Sequence, residues 1–133
     1  MSDENVEIIR RAHEAVNRVG VDALLELIHP DFEAIISPEL SVEPDTYRGR
    51  EGMRRYFAGF EGVMKDVSFH PEELIGVGDK VFAAMLLSAT GVGTGIEVKQ
   101  LTYQVWTLRD GKALRVDTYK ERSDALEAAG VSD

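Results

Sequence analysis

The sequence predicts an α+β fold, and three observations carry the prediction. Residues 3–60 hold three helical patterns around one strand, the segments after them are rich in β-branched and aromatic residues, and Asp110-Gly111 joins the last two of those segments. Helices gathered ahead of a run of antiparallel strands pack on one face of a curved sheet.

The elements follow in order. Residues 3–19 place Ile8, Ile9, Ala12, Ala15, Val16 and Val19 on one stripe at helical spacing, with Glu7, Arg10, Arg11, Glu14 and Arg18 opposite. Gly20 closes this helix, and Asp22 is placed to cap a short second one carrying Leu24, Leu25, Leu27 and Ile28. His29-Pro30 stops it, because a residue before proline is pushed out of the helical region. Residues 32–37 read as a strand and 38–47 as a loop. Met53, Tyr56, Phe57 and Phe60 mark a third helix over 50–60. Residues 67–75, 81–89 and 96–109 read as strands separated by glycine-rich turns at 76–79 and 91–95. A last strand over 113–119 leads to a terminal helix, 121–129, with Gly130 as its stop.

Asp-Gly between two β runs is the signature of a two-residue hairpin turn of type I′. With Asp110 and Gly111 in the loop, Arg109 faces Lys112, Thr107 faces Leu114, Val105 faces Val116 and Tyr103 faces Thr118. One face then carries Leu101, Tyr103, Val105, Thr107, Leu114, Val116 and Thr118 and is expected to look inward. The other carries Gln104, Trp106, Arg115, Asp117 and Tyr119 and is expected to meet solvent or a partner subunit.

At 133 residues the chain is sized for one domain with a single core. Hydrophobic residues at 44% and charged residues at 29% are ordinary for a globular protein. A formal charge of −9 argues against nucleic acid and anionic membranes, whose phosphates need clustered Lys and Arg. The absence of cysteine excludes disulfides and thiolate chemistry. The acidic start Met1-Ser2-Asp3-Glu4 does not read as a secretory signal, so a cytoplasmic protein is expected.

Candidate chemistry is sparse. His13, His29 and His70 lie on different elements without metal-ligand spacing, so no metal and no cofactor is expected. His13 falls at the edge of the first helix's apolar stripe, where it reaches either a pocket or solvent. Gly91-Val92-Gly93-Thr94-Gly95 joins two strands and opens no helix, so it reads as a hairpin loop and not a phosphate cradle. No Gly-x-Ser-x-Gly elbow occurs. Phe32, Tyr56, Phe57, Phe60 and Phe69 sit where periodicity places core residues, and helices laid over a curved sheet leave a cavity among such side chains.

The runs Ala23-Leu24-Leu25-Glu26-Leu27-Ile28-His29-Pro30-Asp31-Phe32, Tyr47-Arg48-Gly49-Arg50-Glu51-Gly52-Met53-Arg54-Arg55-Tyr56-Phe57 and Val105-Trp106-Thr107-Leu108-Arg109-Asp110-Gly111-Lys112 resemble the SnoaL-like group of the nuclear transport factor 2-like superfamily. The resemblance spans nearly the whole chain. It implies a cone-shaped, curved antiparallel sheet with about three helices from the N-terminal half on its concave face, and a homodimer. It implies no single activity, since the superfamily holds isomerases, cyclases, hydrolases and proteins that only bind. By similarity to ketosteroid isomerase, the general base falls at or beside Ser37, the helix tyrosine near Ala12 or His13, and the protonated acid at Tyr103. By similarity to limonene epoxide hydrolase, residues 81–87 occupy the strand of the arginine and acid pair without offering a charge, and the second acid falls at Thr118. Asp117, next to it, turns inward only if a bulge shifts the strand's alternation.

Three readings follow. One is a pocket that binds a small hydrophobic molecule, lined by Ser37, Tyr56, Phe60, Val105, Val116 and Thr118. A second is an enzyme acting on an apolar ring compound, with His13, Tyr103 and Asp117 as candidate catalytic groups. The third is a dimerising module whose outward face presents Gln104, Trp106, Arg115 and Tyr119.

Overall fold

A computed structural model describes residues 2–36, 46–60 and 62–131; Ser37 and residues 38–45 of the expected loop lie outside the described residues. The order is α1 (Ser2–Val19), α2 (Val21–Leu25), β1 (Ile28–Ile35), β2 (Thr46–Arg48), α3 (Gly49–Ala58), β3 (Met64–Val77), β4 (Lys80–Gly91), β5 (Glu97–Arg109), β6 (Lys112–Tyr119) and α4 (Arg122–Ala129). The strands form one six-stranded sheet in the order β2-β1-β6-β5-β4-β3. Only β1 and β6 run parallel, the other neighbours being antiparallel.

The first helix buries most of the stripe its sequence dictates, Val19 at its end being exposed. Ile9 and Ala12 are in the core, with Val6, Ile8 and Val16 packed beside them. Asn17 fixes the helix to the edge strand β3: its Nδ2 donates to the Phe69 carbonyl at 2.7 Å, and the Phe69 amide donates to its Oδ1 at 2.8 Å. Side-chain pairing of this kind closes backbone groups that an edge strand would leave open. Helix α3 comes close to β2 at Gly52, where a Cβ would stand 2.7 Å from the Tyr47 carbonyl carbon.

Two expectations about the chain's course are corrected. His29-Pro30 does not end a helix but lies inside β1, where the pairing with β6 is irregular between Ile28 and Glu33. A proline has no amide to donate and is tolerated at such an irregularity. Thr46–Arg48, expected as the end of a loop, pairs with β1 as a short edge strand.

The larger correction concerns β5. Asp110 and Gly111 both have positive φ, 52° and 76°, as a type I′ turn requires, and Arg109 faces Lys112. One pair further on the register slips: Leu108 faces Ala113, but Thr107 faces Arg115, leaving Leu114 as an extra residue. A bulge of one residue reverses which side chains share a face. Gln104 therefore lies opposite Thr118, and Trp106 opposite Val116. The expected inward set holds for Val116 and Thr118 on β6 and is reversed along β5.

The concave side of the sheet carries the main core, in which Phe32, Phe69, Met85, Trp106 and Val116 meet Ile9, Leu24 and Met53 from the helices. The convex side has a smaller core of its own. Phe82, Ala84 and Val105 pack there under Ala125, Leu126 and Ala129 of α4, with Tyr103 and Tyr119 alongside. The helices thus lie on both faces, α4 covering part of the one expected to be open.

Candidate functional site

A cavity of about 50 Å³ opens between α1, α3 and the concave sheet face. His13 and Val16 come from α1, Met53, Tyr56 and Phe57 from α3, and Gln104, Trp106, Val116 and Thr118 from the sheet. Beyond it lies a wider space of about 260 Å³ that shares Ile36, Tyr56, Phe69, Gln104 and Thr118 and adds Phe60, Met85, Gln100 and Thr102. The inner chamber has room for roughly three or four waters at ~15 Å³ each. Its walls are apolar and aromatic apart from four side chains, His13, Tyr56, Gln104 and Thr118.

Each of the four is held in a defined state. His13 is 6% exposed, and its Nδ1 lies 2.8 Å from the Ile9 carbonyl oxygen one turn back. A carbonyl can only accept, so Nδ1 carries the proton and Nε2 the lone pair. Nε2 has no partner among the described residues. No buried side-chain nitrogen or oxygen there is orphaned, so Nε2 opens onto the chamber its ring lines. Burial lowers the pKa of His13 below the usual histidine value, the bond to Ile9 opposing in part. The imidazole is neutral near neutrality.

Gln104 is oriented by Trp106. The indole N–H donates to Gln104 Oε1 at 2.8 Å. Because that N–H is donor only, the amide oxygen must face it, which leaves the NH₂ group to be offered elsewhere. Thr118 Oγ1 donates to the Ile35 carbonyl at 3.1 Å, tying β6 to the end of β1. Tyr56 meets Tyr47, Phe57 and Phe60 edge-on, with centroids 5.3, 5.3 and 5.6 Å away. Burial, with Tyr47 beside it, raises the pKa of Tyr56, so its hydroxyl stays protonated. Among the described residues no carboxylate, lysine or arginine lines the chamber.

The structure separates the residues expected at the site. His13, Tyr56, Val116 and Thr118 border the inner chamber and Phe60 the outer space. Ser37 lies outside the described residues. Tyr103 and Val105 are on the opposite face beneath α4, turned away by the bulge at Leu114. Asp117 also faces the convex side, where its carboxylate accepts two bonds from Arg115 at 2.8 and 2.9 Å. The bulge does exist, but it turns β5 and leaves Asp117 outward. Gln104 and Trp106, expected on a dimer face, line the chamber instead, and Trp106 is 3% exposed. Of that expected interface only Arg115 and Tyr119 border the convex surface.

Two wall residues escaped the sequence reading for one reason. Nothing in Lys112-Ala113-Leu114-Arg115 announces a bulge, yet a lone Trp with Gln two residues before it carried a usable signal. A large, mostly buried aromatic with one N–H to satisfy favours a polar neighbour on its own strand face.

No helix of the described residues is long and apolar enough to cross a membrane. The fold recurs in solved structures. An NTF2-like protein of unknown function from Burkholderia pseudomallei aligns with TM-score 0.77 at 17% identity, over 93% of this chain and 95% of that one. A putative SnoaL-like polyketide cyclase from Jannaschia sp. aligns with TM-score 0.73 at 20% identity, over 99% and 95%. TerC, co-crystallised with polyporic acid, aligns with TM-score 0.75 at 22% identity, over 96% and 98%. At such identities the likeness shows the fold alone. No curated protein matches the sequence. Residues 9–116 match the family model of the SnoaL-like domain, and the chain belongs to that family.

Proposed function

We propose that this protein binds a small, uncharged, largely apolar molecule in the chamber between α1, α3 and the concave sheet face together with the wider space it opens into. One observation carries the reading: a cavity walled by Val16, Met53, Phe57, Trp106 and Val116 holds a few neutral polar groups and no ionised one among the described residues. Apolar walls with a small number of placed polar groups are the usual form of a small-molecule site. An ion entering it would lose its hydration without a counter-charge.

The test uses Trp106, the sole tryptophan of the chain. Its indole N–H gives one side-chain resonance in a ¹⁵N-labelled sample. Titration with indane, a compact uncharged ring, is expected to move that resonance saturably. Ala34, buried in the chamber wall, provides the control: Ala34→Leu fills the space and should abolish the shift. A wild-type resonance that stays in place throughout the titration defeats the proposal.

The open Nε2 of His13 favours a second reading, proton abstraction from a bound ring compound. A neutral imidazole with a free lone pair is a general base, and its lowered pKa makes it a weak one. The readout is deuterium uptake from solvent into 2-indanone, compared between wild type and His13→Gln. Equal uptake in the two removes this reading and leaves binding.

A further inference from the structure

The polarity of the chamber's two fixed groups narrows what fits it. His13 offers a lone pair at Nε2 because Nδ1 is committed to Ile9. Gln104 offers N–H donors because its oxygen is committed to the Trp106 indole. Both stand against the same indole. The His13 ring meets Trp106 edge-on with centroids 5.4 Å apart, and Gln104 holds the indole nitrogen. Reversing Gln104 would orphan the indole N–H, and reversing His13 would set the Nδ1 lone pair against the Ile9 carbonyl oxygen, so these two groups present one acceptor and one donor in a set order.

We infer that the inner chamber takes the neutral hydroxyl group of a compact ring compound, which donates to Nε2 of His13 and accepts from the Gln104 amide, while the ring extends into the wider space that shares Tyr56, Gln104 and Thr118 with it. This rests on the binding reading above and names the ligand class for that site. A carbonyl would satisfy Gln104 and leave the histidine lone pair facing an oxygen. A carboxylate would face that lone pair with a full negative charge. An ammonium would serve His13 but would direct its protons at the Gln104 NH₂, and its charge would be stripped of water with no carboxylate near. A hydroxyl is the smallest group that does both.

Four probes share one ring frame: indane, 2-indanol, indane-2-carboxylate and 2-aminoindane. Their dissociation constants are read at neutral pH from the Trp106 indole resonance. 2-Indanol is expected to bind roughly tenfold tighter than indane, the effect of two modest net hydrogen bonds. The two charged probes are expected to bind at least about tenfold more weakly than indane. His13→Leu removes the acceptor and Gln104→Met the donor; each should cut the preference for 2-indanol over indane to about twofold, the two constants being measured on the same variant. Since either variant can fail to fold, the ranking of the four probes on the wild-type protein decides by itself. Equal binding of indane and 2-indanol overturns the inference and leaves the pocket standing, as does a carboxylate or amine that binds tightest. A preference for 2-indanol that survives in both variants also overturns it. Failure of indane and 2-indanol alike overturns the binding reading and this inference together.

Discussion

The indole N–H of Trp106 donates to Gln104 Oε1 at 2.8 Å, two residues back on the same strand face. That bond satisfies the one polar atom of a buried ring and leaves the amide nitrogen of Gln104, a chamber-wall residue, without a share in it. Gln104→Leu is expected to cost about 1–3 kcal/mol, the penalty of leaving a buried donor unpaired. Urea unfolding checks this, and an unchanged midpoint would show that the indole finds another partner.

Trp106→Ala separates a core tryptophan from an interface one. A buried Trp packed against His13 and Phe32 should cost about 3–5 kcal/mol when truncated. The sedimentation coefficient of the folded variant is expected to match that of wild type. A change in oligomeric state with little loss of stability would return Trp106 to an interface.

Asp117 makes the opposite case. Its pair with Arg115 lies on the convex side, with Arg115 about half exposed. Asp117→Asn should change stability by no more than about 1 kcal/mol, as for other surface pairs. Indane binding should be unaffected, and a calorimetric titration showing otherwise would place Asp117 in the site.

His13 sets a pH dependence. Its pKa is lowered in the folded protein, so the unfolded chain binds its proton first as pH falls. The stability gained from a neutral His13 is full above about 6.5, the ordinary histidine value, and declines as pH drops from there toward the folded pKa. Tyr56 is the other titratable side chain on the described chamber wall, and it stays protonated across this window. His13→Leu should flatten the slope of urea midpoint against pH in the region just below 6.5. An identical slope in the variant would assign the dependence to other groups.

Gly52 lets α3 approach β2. Although alanine is the better helix former, Gly52→Ala places a Cβ 2.7 Å from the Tyr47 backbone, and something must move. The expected loss is about 1–3 kcal/mol, measured by urea unfolding, with a displaced Tyr56 weakening indane binding. A more stable variant would mean that β2 yields freely.

Much of the fold is written in local pattern. The stripe from Ile8 to Val19 and the Asp110-Gly111 turn each dictate an element through spacing or backbone freedom that no distant contact alters. At the edge of that stripe the pattern leaves His13 free to reach a pocket or solvent and does not choose between them. The side of the sheet on which β5 presents Gln104 and Trp106 was not visible in the pattern, because it depends on a bulge at Leu114. That bulge is fixed by contacts distant in sequence: the Ala113 amide donates to the Leu27 carbonyl and the Leu108 amide to the Asp79 carbonyl, both at 2.9 Å. The same slip carried Tyr103 and Val105 to the face that α4 covers. Parity read outward from a turn is reliable only as far as the first irregularity.

The most direct measurement of the central claim is a set of nuclear Overhauser contacts between the ring protons of bound 2-indanol and the protein. Contacts to Trp106, Val116 and Met53 are predicted, placing the ligand on the concave side beside His13. Contacts to Tyr103, Val105 and Leu126 would put it on the convex side under α4 and contradict the account.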